Sequence, residues 1–399
     1  MEFLPRILSE KIKVLATKFP VVSVTGPRQS GKTTLVQHLF PEYTYCNLEN
    51  PDYRMAALNA PRDFLRQNPR GLIIDEAQYV PELFSYIQLE ADEQNRPGMF
   101  VLCGSQHFLL MEKISQSLAG RVGIVNLLPF SMEELSGDGA ELPNLWDLIF
   151  KGSFPRLYRM VIEPQDFYPA YIQTYIERDA RQVVNISNLD TFQAFVRLCA
   201  GRVGQLFNQS DLGNLVNIDQ KTVRSWFSIL QTGFQAFTLP PYFQNFDKRT
   251  VKTPKLYFWD TGVACSLLGI RNSNELLTHF ARGHLFENFI VVEMLKSFYH
   301  RGIRPNAYFW RDRNGNEVDL LFDEGGILYP MEIKAGQAVK PDFFKGVDVF
   351  NAASGNDPER AHLVYTGDLN YQHPKAHIHS WNQLPALWDH TLKPASKTT

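Results

Sequence analysis

The stretch Val21-Val-Ser-Val-Thr-Gly-Pro-Arg-Gln-Ser-Gly-Lys-Thr-Thr34 decides the fold of this chain. Its residues 26–33 match the pattern GxxxxGK[ST], which follows a strand and opens a helix in phosphate-binding loops. Here an apolar run comes before the glycines and TTLVQHLF, typical of a helix, comes after them. The glycines let backbone N–H groups turn toward phosphate oxygens at a helix N-terminus. We therefore predict a nucleotide site; the alternative is a chance glycine-rich turn.

The predicted nucleotide ligands lie in this loop and in the helix that follows it. They are Gly26, Gln29, Ser30, Gly31, Lys32, Thr33 and Thr34. Lys32 is expected to reach the β- and γ-phosphate oxygens, and the Thr33 hydroxyl is expected to bind Mg²⁺. The predicted cofactors are accordingly ATP and Mg²⁺.

A second acidic motif, Gly71-Leu-Ile-Ile-Asp75-Glu76, ends an apolar strand. Asp75 is predicted to hold Mg²⁺ through water, and Glu76 to polarise the attacking water as the catalytic carboxylate. This order of acids favours ATP hydrolysis over kinase transfer. Short apolar strands also alternate with helical stretches over residues 20–135, which predicts a parallel α/β sheet.

Two further residues are predicted to assist catalysis. Ser105 ends the strand FVLCGS, where ligands of open α/β sheets gather, and could sense the γ-phosphate or the water; ordinary helix capping is the alternative. Arg121 ends SLAGR and could reach a neighbouring subunit as an arginine finger. A solvated arginine is the alternative for that position.

The composition of the chain bears on nucleic-acid binding, on the state of the cysteines and on contact with a membrane. The net charge of −2 and the pI near 6.6 argue against coating of nucleic acid by bulk positive charge, so such contact needs a local basic patch. The 4 cysteines show no CxxC spacing, as expected for reduced thiols. No apolar run approaches the ~18 residues of a membrane span. We expect no membrane contact and a cytoplasmic location.

Residues 209–230 have the pattern of a helix, a tight turn and a second helix, with Ser210 and Asp219 as predicted N-caps. Two aromatic strands follow and flank a basic loop that could form the wing of a winged helix. The predicted nucleic-acid contacts are Lys221, Thr222 and Arg224 in the groove, with Lys248, Arg249, Lys252 and Lys255 on phosphates. The alternative is a protein-interaction module.

The C-terminal third contains a helix around Glu287, followed by NEVDLLFD and ILYPMEIKAG as two paired strands. Strand alternation places Glu332 and Lys334 on one face, where Asp319 could meet them. Glu287, Asp319 and Glu332 are predicted metal ligands, with Lys334 as the nuclease-like lysine. The alternative is an exposed hairpin with a salt bridge.

Together GPRQSGKTTL, LIIDEAQ, CGSQ, SLAGR, LPFS, GSFP and RDRNGNEVDLLF…MEIKAG resemble a bacterial and archaeal family of AAA+ ATPases with a C-terminal region of unknown function. The resemblance covers nearly the whole chain. It implies the nucleotide roles given above for Lys32, Thr33, Asp75 and Glu76. It also implies that Glu287, Asp319, Glu332 and Lys334 match the PD-(D/E)xK pattern of nuclease-like domains.

The predicted fold class is α/β, with a P-loop AAA+ parallel sheet, a helical lid, a winged helix-turn-helix and a C-terminal α/β nuclease-like domain. The predicted domains are the ATPase domain over 1–135, the lid or linker over 136–204, the winged helix over 205–275, the nuclease-like domain over 276–385, and a tail over 386–399.

Three functional hypotheses follow from these predictions. The first is an ATP-driven motor or remodeller that acts on DNA as a homo-oligomer, for which a ring is one arrangement. The second is a nucleotide-gated switch that binds protein or operator DNA and keeps an inactive nuclease-like scaffold. The third is a metal nuclease licensed by ATP.

Overall fold

A computed structural model describes residues 3–104, 117–137, 140–176, 189–243 and 251–387. Its N-terminal part is one parallel sheet with helices around it. The strands are β1 (Val21–Thr25), β2 (Thr44–Asn47), β3 (Leu72–Asp75), β4 (Phe100–Gly104) and β5 (Val122–Asn126). The helices are α1 (Leu8–Ala16), α2 (Lys32–Leu39), α3 (Pro51–Asn59), α4 (Pro61–Arg66) and α5 (Leu83–Gln94).

The strand order in this sheet is β2-β3-β4-β1-β5, and every pair is parallel. β1, β3 and β4 are buried along their whole length, which explains why they were visible as apolar runs. The partly buried edge strand β2 was not predicted. β1 lies between β4 and β5, so the loop after it opens at the carboxyl edge of the sheet, where ligands of such sheets bind.

A helical region follows the sheet. It contains α6 (Met132–Leu135), α7 (Leu145–Lys151), α8 (Pro155–Arg159) and α9 (Pro164–Tyr171), continued by a π-helix (Ile172–Ile176). The turn before α8 is tight, because a Cβ atom at Gly152 (φ +66°) would overlap the Tyr168 hydroxyl and Asp260. Asp260 accepts hydrogen bonds from Ser153 N (2.7 Å) and from the Tyr168 hydroxyl (2.7 Å). The Gly-Ser-Phe-Pro turn is therefore fixed from the distant C-terminal half.

Three helices and an antiparallel strand pair come next. They are α10 (Leu189–Gly201), α11 (Gln209–Val216), α12 (Gln220–Thr232), β6 (Ala236–Leu239) and β7 (Lys255–Phe258). We call this group the helix-turn-helix unit. Asp219 caps α12 as predicted, accepting from Thr222 N at 2.8 Å. The Ser210 cap prediction was wrong: Asn208 caps α11, because its side chain reaches the N–H groups of Ser210 and Asp211.

The C-terminal part is a six-stranded sheet of order β12-β13-β11-β10-β9-β8. Its strands are β8 (Ala307–Arg311), β9 (Glu317–Glu324), β10 (Ile327–Lys334), β11 (His362–Tyr365), β12 (Tyr371–His373) and β13 (Ala376–Ser380). Its helices and those before it are α13 (Thr261–Leu267), α14 (Ser273–Thr278), α15 (Arg282–Tyr299), α16 (Lys345–Ser354) and α17 (Leu384–Leu387). The predicted pairing of β9 with β10 is antiparallel.

One hydrophobic core runs through the helical region, the helix-turn-helix unit and one face of the C-terminal sheet, from Leu128 to Leu387. α15 lies at its centre, and two of its buried polar side chains bond to neighbouring segments. Lys296 Nζ donates to Phe130 O (2.8 Å) and to Ser153 Oγ (3.0 Å), and Asn288 pairs with the backbone of Phe258 in β7. α15 thus joins these three parts. In the part of the chain described, no helix is long and apolar enough to cross a membrane.

Candidate functional site

The loop after β1 has the backbone that phosphate binding requires. Gly26 has φ +151°, and a Cβ atom there would overlap Leu127 O. Gly31 has φ +91° and begins α2 from the left-handed region, which costs glycine least. Gln29 also has a positive φ of 61°. The backbone geometry of this loop therefore requires glycine at positions 26 and 31.

The Lys32 side chain folds back over this loop. Its Nζ donates to Gly26 O (3.0 Å) and Pro27 O (2.8 Å), and the residue is only 6% exposed. Burial lowers the pKa of Lys32 from its usual value, although the carboxylates of Glu76 and Asp75 oppose that shift. An ammonium held at the mouth of the loop is placed to meet phosphate oxygens.

Thr33 and Asp75 form the metal side of the site. Thr33 Oγ1 donates to Asp75 Oδ2 at 2.7 Å, and the Tyr45 hydroxyl donates to the same oxygen at 2.8 Å. Both groups offer oxygen ligands, which Mg²⁺ prefers, so the residues fit this ion. Burial, and then the charge of Asp75, raises the pKa of the Tyr45 phenol. Tyr45 was missed because β2 was not recognised, so nothing placed it beside Asp75.

Glu76 lies where β3 ends, with φ of 52°, in the left-handed region. Its backbone N–H donates to Asp75 Oδ1 at 3.0 Å, and its side chain accepts a very short hydrogen bond from Gln78 Nε2. A non-glycine residue in this conformation is strained, and such strain is often found at functional positions. The conformation brings the Glu76 carboxylate to the nucleotide cavity.

An open cavity of about 620 Å³ connects these groups. The described residues that line it include Gly31, Lys32, Thr33, Thr34 and Glu76 on one side, and Arg156, Arg159 and Met160 on the other. Sequence reasoning missed the two arginines. Their signal was the Gly-Ser-Phe-Pro turn, whose following helix α8 supplies both of them. They place positive charge opposite the phosphate loop, which suits a triphosphate.

Arg6 is another residue of the site that the sequence did not indicate. It is 5% exposed, and its guanidinium donates to Ser30 O (2.9 Å), Leu128 O (2.6 Å) and Glu134 Oε1 (3.0 Å). Across a trans peptide the C=O of Ser30 and the N–H of Gly31 point in opposite directions. By holding the Ser30 carbonyl, Arg6 turns the Gly31 N–H away from itself and leaves it available to a phosphate.

We expect Arg6→Lys to weaken ATP binding by roughly tenfold, because lysine keeps the charge beside Glu134 but cannot hold all three acceptors in a planar fork. The measurement is the ATP dissociation constant by calorimetry, with kcat recorded in parallel. The matched control is Lys13→Arg, on the exposed face of α1. A large loss of kcat at unchanged ATP affinity would contradict this positioning role.

Two of the predicted catalytic residues are not among the described residues that line the nucleotide cavity. Ser105 lies outside the described residues. Arg121 lies just before β5 and forms a bidentate ion pair with Asp92. In one of its two hydrogen bonds, Nη2 donates to Oδ2 at 2.9 Å. It does not line the nucleotide cavity of its own chain. Its action on a neighbouring subunit stays a prediction.

The helix-turn-helix unit carries a polar groove of about 520 Å³. Its lining residues are Gln209, Gln220, Lys221, Arg224, Ser225 and Ser228. Lys221 and Arg224 are exposed on α12, as expected for groove contacts. The Thr222 hydroxyl instead donates to the capping carboxylate of Asp219 at 3.1 Å. Lys252 lies in the described part of the loop, whereas Lys248 and Arg249 lie outside it.

One basic residue that was predicted to belong to the wing lies elsewhere in the structure. Lys255 begins β7 and is 2% exposed, so the expectation that it contacts phosphates was wrong. Its Nζ lies 2.7 Å from Glu287 Oε1, 2.5 Å from Glu317 Oε1 and 3.7 Å from Asp319 Oδ1. Lys255 was assigned to the basic loop because it directly follows other basic residues in the sequence.

The predicted nuclease-like residues do come together. Lys334 Nζ lies 2.6 Å from Glu332 Oε2 and 3.1 Å from Asp319 Oδ2, and Ile333 N donates to Asp319 Oδ2 at 2.9 Å. Met331 and Ile333 face the hydrophobic core, as the strand alternation required. Burial by itself would raise the pKa of Asp319, but the charges of Lys334 and then Lys255 oppose it, and the pKa is lowered.

These residues do not fit a metal ion as predicted. Glu287 is separated from Asp319 by the ammonium of Lys255, and Glu332 is covered by α16, where a Cβ atom at Gly346 would overlap its carboxyl oxygen. Among the residues described, no group of three His, Cys, Asp or Glu side chains is arranged to hold a metal. The ammonium groups of Lys255 and Lys334 therefore occupy the space next to these carboxylates in which a metal ion would be bound.

Comparison with known sequences agrees with this geometry. A model described as an AAA domain matches residues 18–136, and two domains of unknown function, DUF8612 and DUF4143, match 142–274 and 282–385. The uncharacterized protein Rv2008c of Mycobacterium tuberculosis is 34% identical over 322 residues, which cover 79% of this chain and 70% of that protein. The same figures hold for Mb2031c of Mycobacterium bovis. The chain belongs to an AAA-type ATPase family.

Solved structures similar to this AAA-type ATPase include a Walker-type ATPase of Pyrococcus abyssi. It is 15% identical, with a TM-score of 0.43 over 65% of this chain and 94% of that one. AMPPCP-bound DnaA from Aquifex aeolicus is 13% identical, with a TM-score of 0.29 over 56% of this chain and 86% of that one. At these TM-scores the likenesses carry no inference about function.

Proposed function

We propose that this protein hydrolyses ATP in the cavity between the phosphate loop and α8, and uses the turnover to act on duplex DNA through the helix-turn-helix unit. The observation that carries the ATPase half is the contact of Thr33 with Asp75 at 2.7 Å, directly beside Glu76 at the cavity. A hydroxyl, a metal carboxylate and a second carboxylate in this order are the groups that hydrolysis requires.

Each residue has a separate task in this proposal. The loop N–H groups and Lys32 bind the phosphates, while Arg156 and Arg159 close the cavity from α8. Bound Mg²⁺ would neutralise phosphate charge, with Thr33 and Asp75 holding it. Glu76 orients a water and accepts its proton as that water attacks the γ-phosphorus; the bond from this phosphorus to the β–γ bridging oxygen breaks, and ADP leaves.

The groove on α12 supports the DNA half. Lys221 and Arg224 are exposed there and stand among uncharged polar side chains that can pair with base edges or phosphates. A net charge of −2 for the chain makes this local patch the relevant electrostatic feature. In this proposal the two exposed basic side chains of α12 bind the DNA.

We expect Lys221→Ala/Arg224→Ala to lower duplex affinity by about tenfold or more and to reduce the salt slope of binding by about two, one for each lost phosphate contact. Fluorescence anisotropy at several salt concentrations measures both quantities. The control is Lys18→Ala/Lys340→Ala, which removes the same charge from exposed positions elsewhere. Equal affinities of the two double variants would refute a role for α12.

A nucleotide-gated switch is the second candidate function. The neutralised carboxylates of the C-terminal sheet favour it, because they suit a scaffold better than a cleaving site. ATPase assays with and without duplex DNA separate the two candidates. Turnover stimulated by DNA supports the remodeller, whereas tight nucleotide retention with turnover indifferent to DNA supports the switch.

A further inference from the structure

The C-terminal charge cluster consists of buried and partly buried acids and bases from three parts of the chain. The bases are Lys255, Lys334 and Arg311, and the acids are Glu287, Glu317, Asp319 and Glu332. Lys255 comes from β7 of the helix-turn-helix unit, Glu287 from α15, and the others from β8 to β10 of the C-terminal sheet. A cluster assembled from such distant segments is a product of the tertiary fold.

The Lys255 ammonium lies in the middle of three carboxylates. Glu317 Oε1 is 2.5 Å away, Glu287 Oε1 is 2.7 Å away and Asp319 Oδ1 is 3.7 Å away. The Tyr257 hydroxyl also donates to Glu287 Oε1, at 2.6 Å. Oxygens converging on one point from several elements form the kind of shell that surrounds a hard divalent cation. In this protein the ammonium group of Lys255 lies at the centre of that shell.

The charges of the cluster support the same conclusion. Its three basic side chains lie among four carboxyl groups. The Lys255 ammonium is only 2% exposed, so a divalent cation beside it would place two positive charges next to each other away from water, which is strongly unfavourable.

We propose that Lys255 is a built-in substitute for the metal ion of the nuclease-like domain: its ammonium takes the central position among Glu287, Glu317 and Asp319, so the domain binds no divalent cation there and cleaves no DNA. The same lysine ties β7 of the helix-turn-helix unit to β9 and α15. The C-terminal sheet thus serves as a rigid support for that unit.

The test is a gain of metal binding. Mn²⁺ is titrated into nucleotide-free protein by calorimetry, and the melting temperature is followed with and without Mn²⁺. We expect Lys255→Ala to bind about one equivalent of Mn²⁺ at least tenfold more tightly than wild type and to be stabilised by it. Lys255→Ala/Asp319→Asn should lose this binding.

A matched control separates this cluster from the nucleotide site. Asp75→Asn in the Lys255→Ala protein should leave the Mn²⁺ signal intact, because Asp75 lies in the other site. Lys255→Gln, which keeps a hydrogen-bond donor, replaces Lys255→Ala if the alanine variant does not fold.

Two results would overturn the proposal. One is wild-type Mn²⁺ binding, or Mn²⁺-dependent nicking of DNA, that Asp319→Asn abolishes; this measurement needs no Lys255 variant. The other is a folded Lys255 variant that gains no affinity for Mn²⁺. Neither result bears on ATP turnover, so the ATPase half of the proposed function is tested separately.

Discussion

Glu76→Gln should reduce ATP turnover by about 100-fold or more while leaving ATP affinity nearly unchanged. The carboxylate acts on the attacking water, which changes in the transition state, whereas the phosphates are bound by other groups in the ground state. The glutamine keeps the size of the side chain, and the hydrogen bond with Gln78 can still form through its amide oxygen. Steady-state phosphate release and nucleotide calorimetry measure the two quantities.

The control is Glu82→Gln, an exposed acid at the start of α5, which should hydrolyse ATP at the wild-type rate. Mixing Glu76→Gln with Arg121→Ala tests the predicted finger. If Arg121 acts across a subunit boundary, the mixture should recover part of the turnover that neither variant has alone. A Glu76→Gln protein with wild-type turnover would remove Glu76 from the mechanism.

Lys32→Ala should weaken ATP binding by about 100-fold or more, because a charge-assisted contact with two phosphates is lost from a buried position. A second effect adds to the first. Lys32 Nζ donates to Gly26 O and Pro27 O, so its removal also leaves those two carbonyl groups without this donor. Calorimetry with ATP and with a non-hydrolysable analogue measures the loss.

Lys18→Ala is the matched control, since Lys18 is exposed at the end of α1. It should bind ATP as the wild type does. Retention of ATP affinity by Lys32→Ala would mean that Arg156 and Arg159 supply most of the phosphate binding, and would move the functional centre of the site to α8.

The nucleotide half of the site could be predicted from local sequence. Gly26, Gly31 and Lys32 lie within one loop, and Asp75 and Glu76 are adjacent. Their spacing in the sequence is therefore enough to predict nucleotide binding and hydrolysis. Arg6, Tyr45 and Arg159 could not be found in this way. Each belongs to a different segment, and each enters the site only when the sheet and α8 are packed.

The C-terminal half shows a similar division. Period-two alternation placed Glu332 and Lys334 on one face of β10, and the structure confirms their meeting with Asp319. The pattern gave no indication of Lys255. Strand alternation reports which residues share a face, but it says nothing about which distant side chain will fill the space above that face.

The sequence by itself determined the phosphate loop, the acidic pair at Asp75 and Glu76, and the α/β class, because these depend on short-range backbone geometry and on burial along single strands. Only the tertiary structure decided what surrounds them. It buried Arg6 against the loop carbonyl of Ser30, and it placed Lys255 beside Glu287 and Asp319, which had been predicted to hold a metal. Long-range packing brings these charges together, and a buried charge must find its partner wherever the fold puts it.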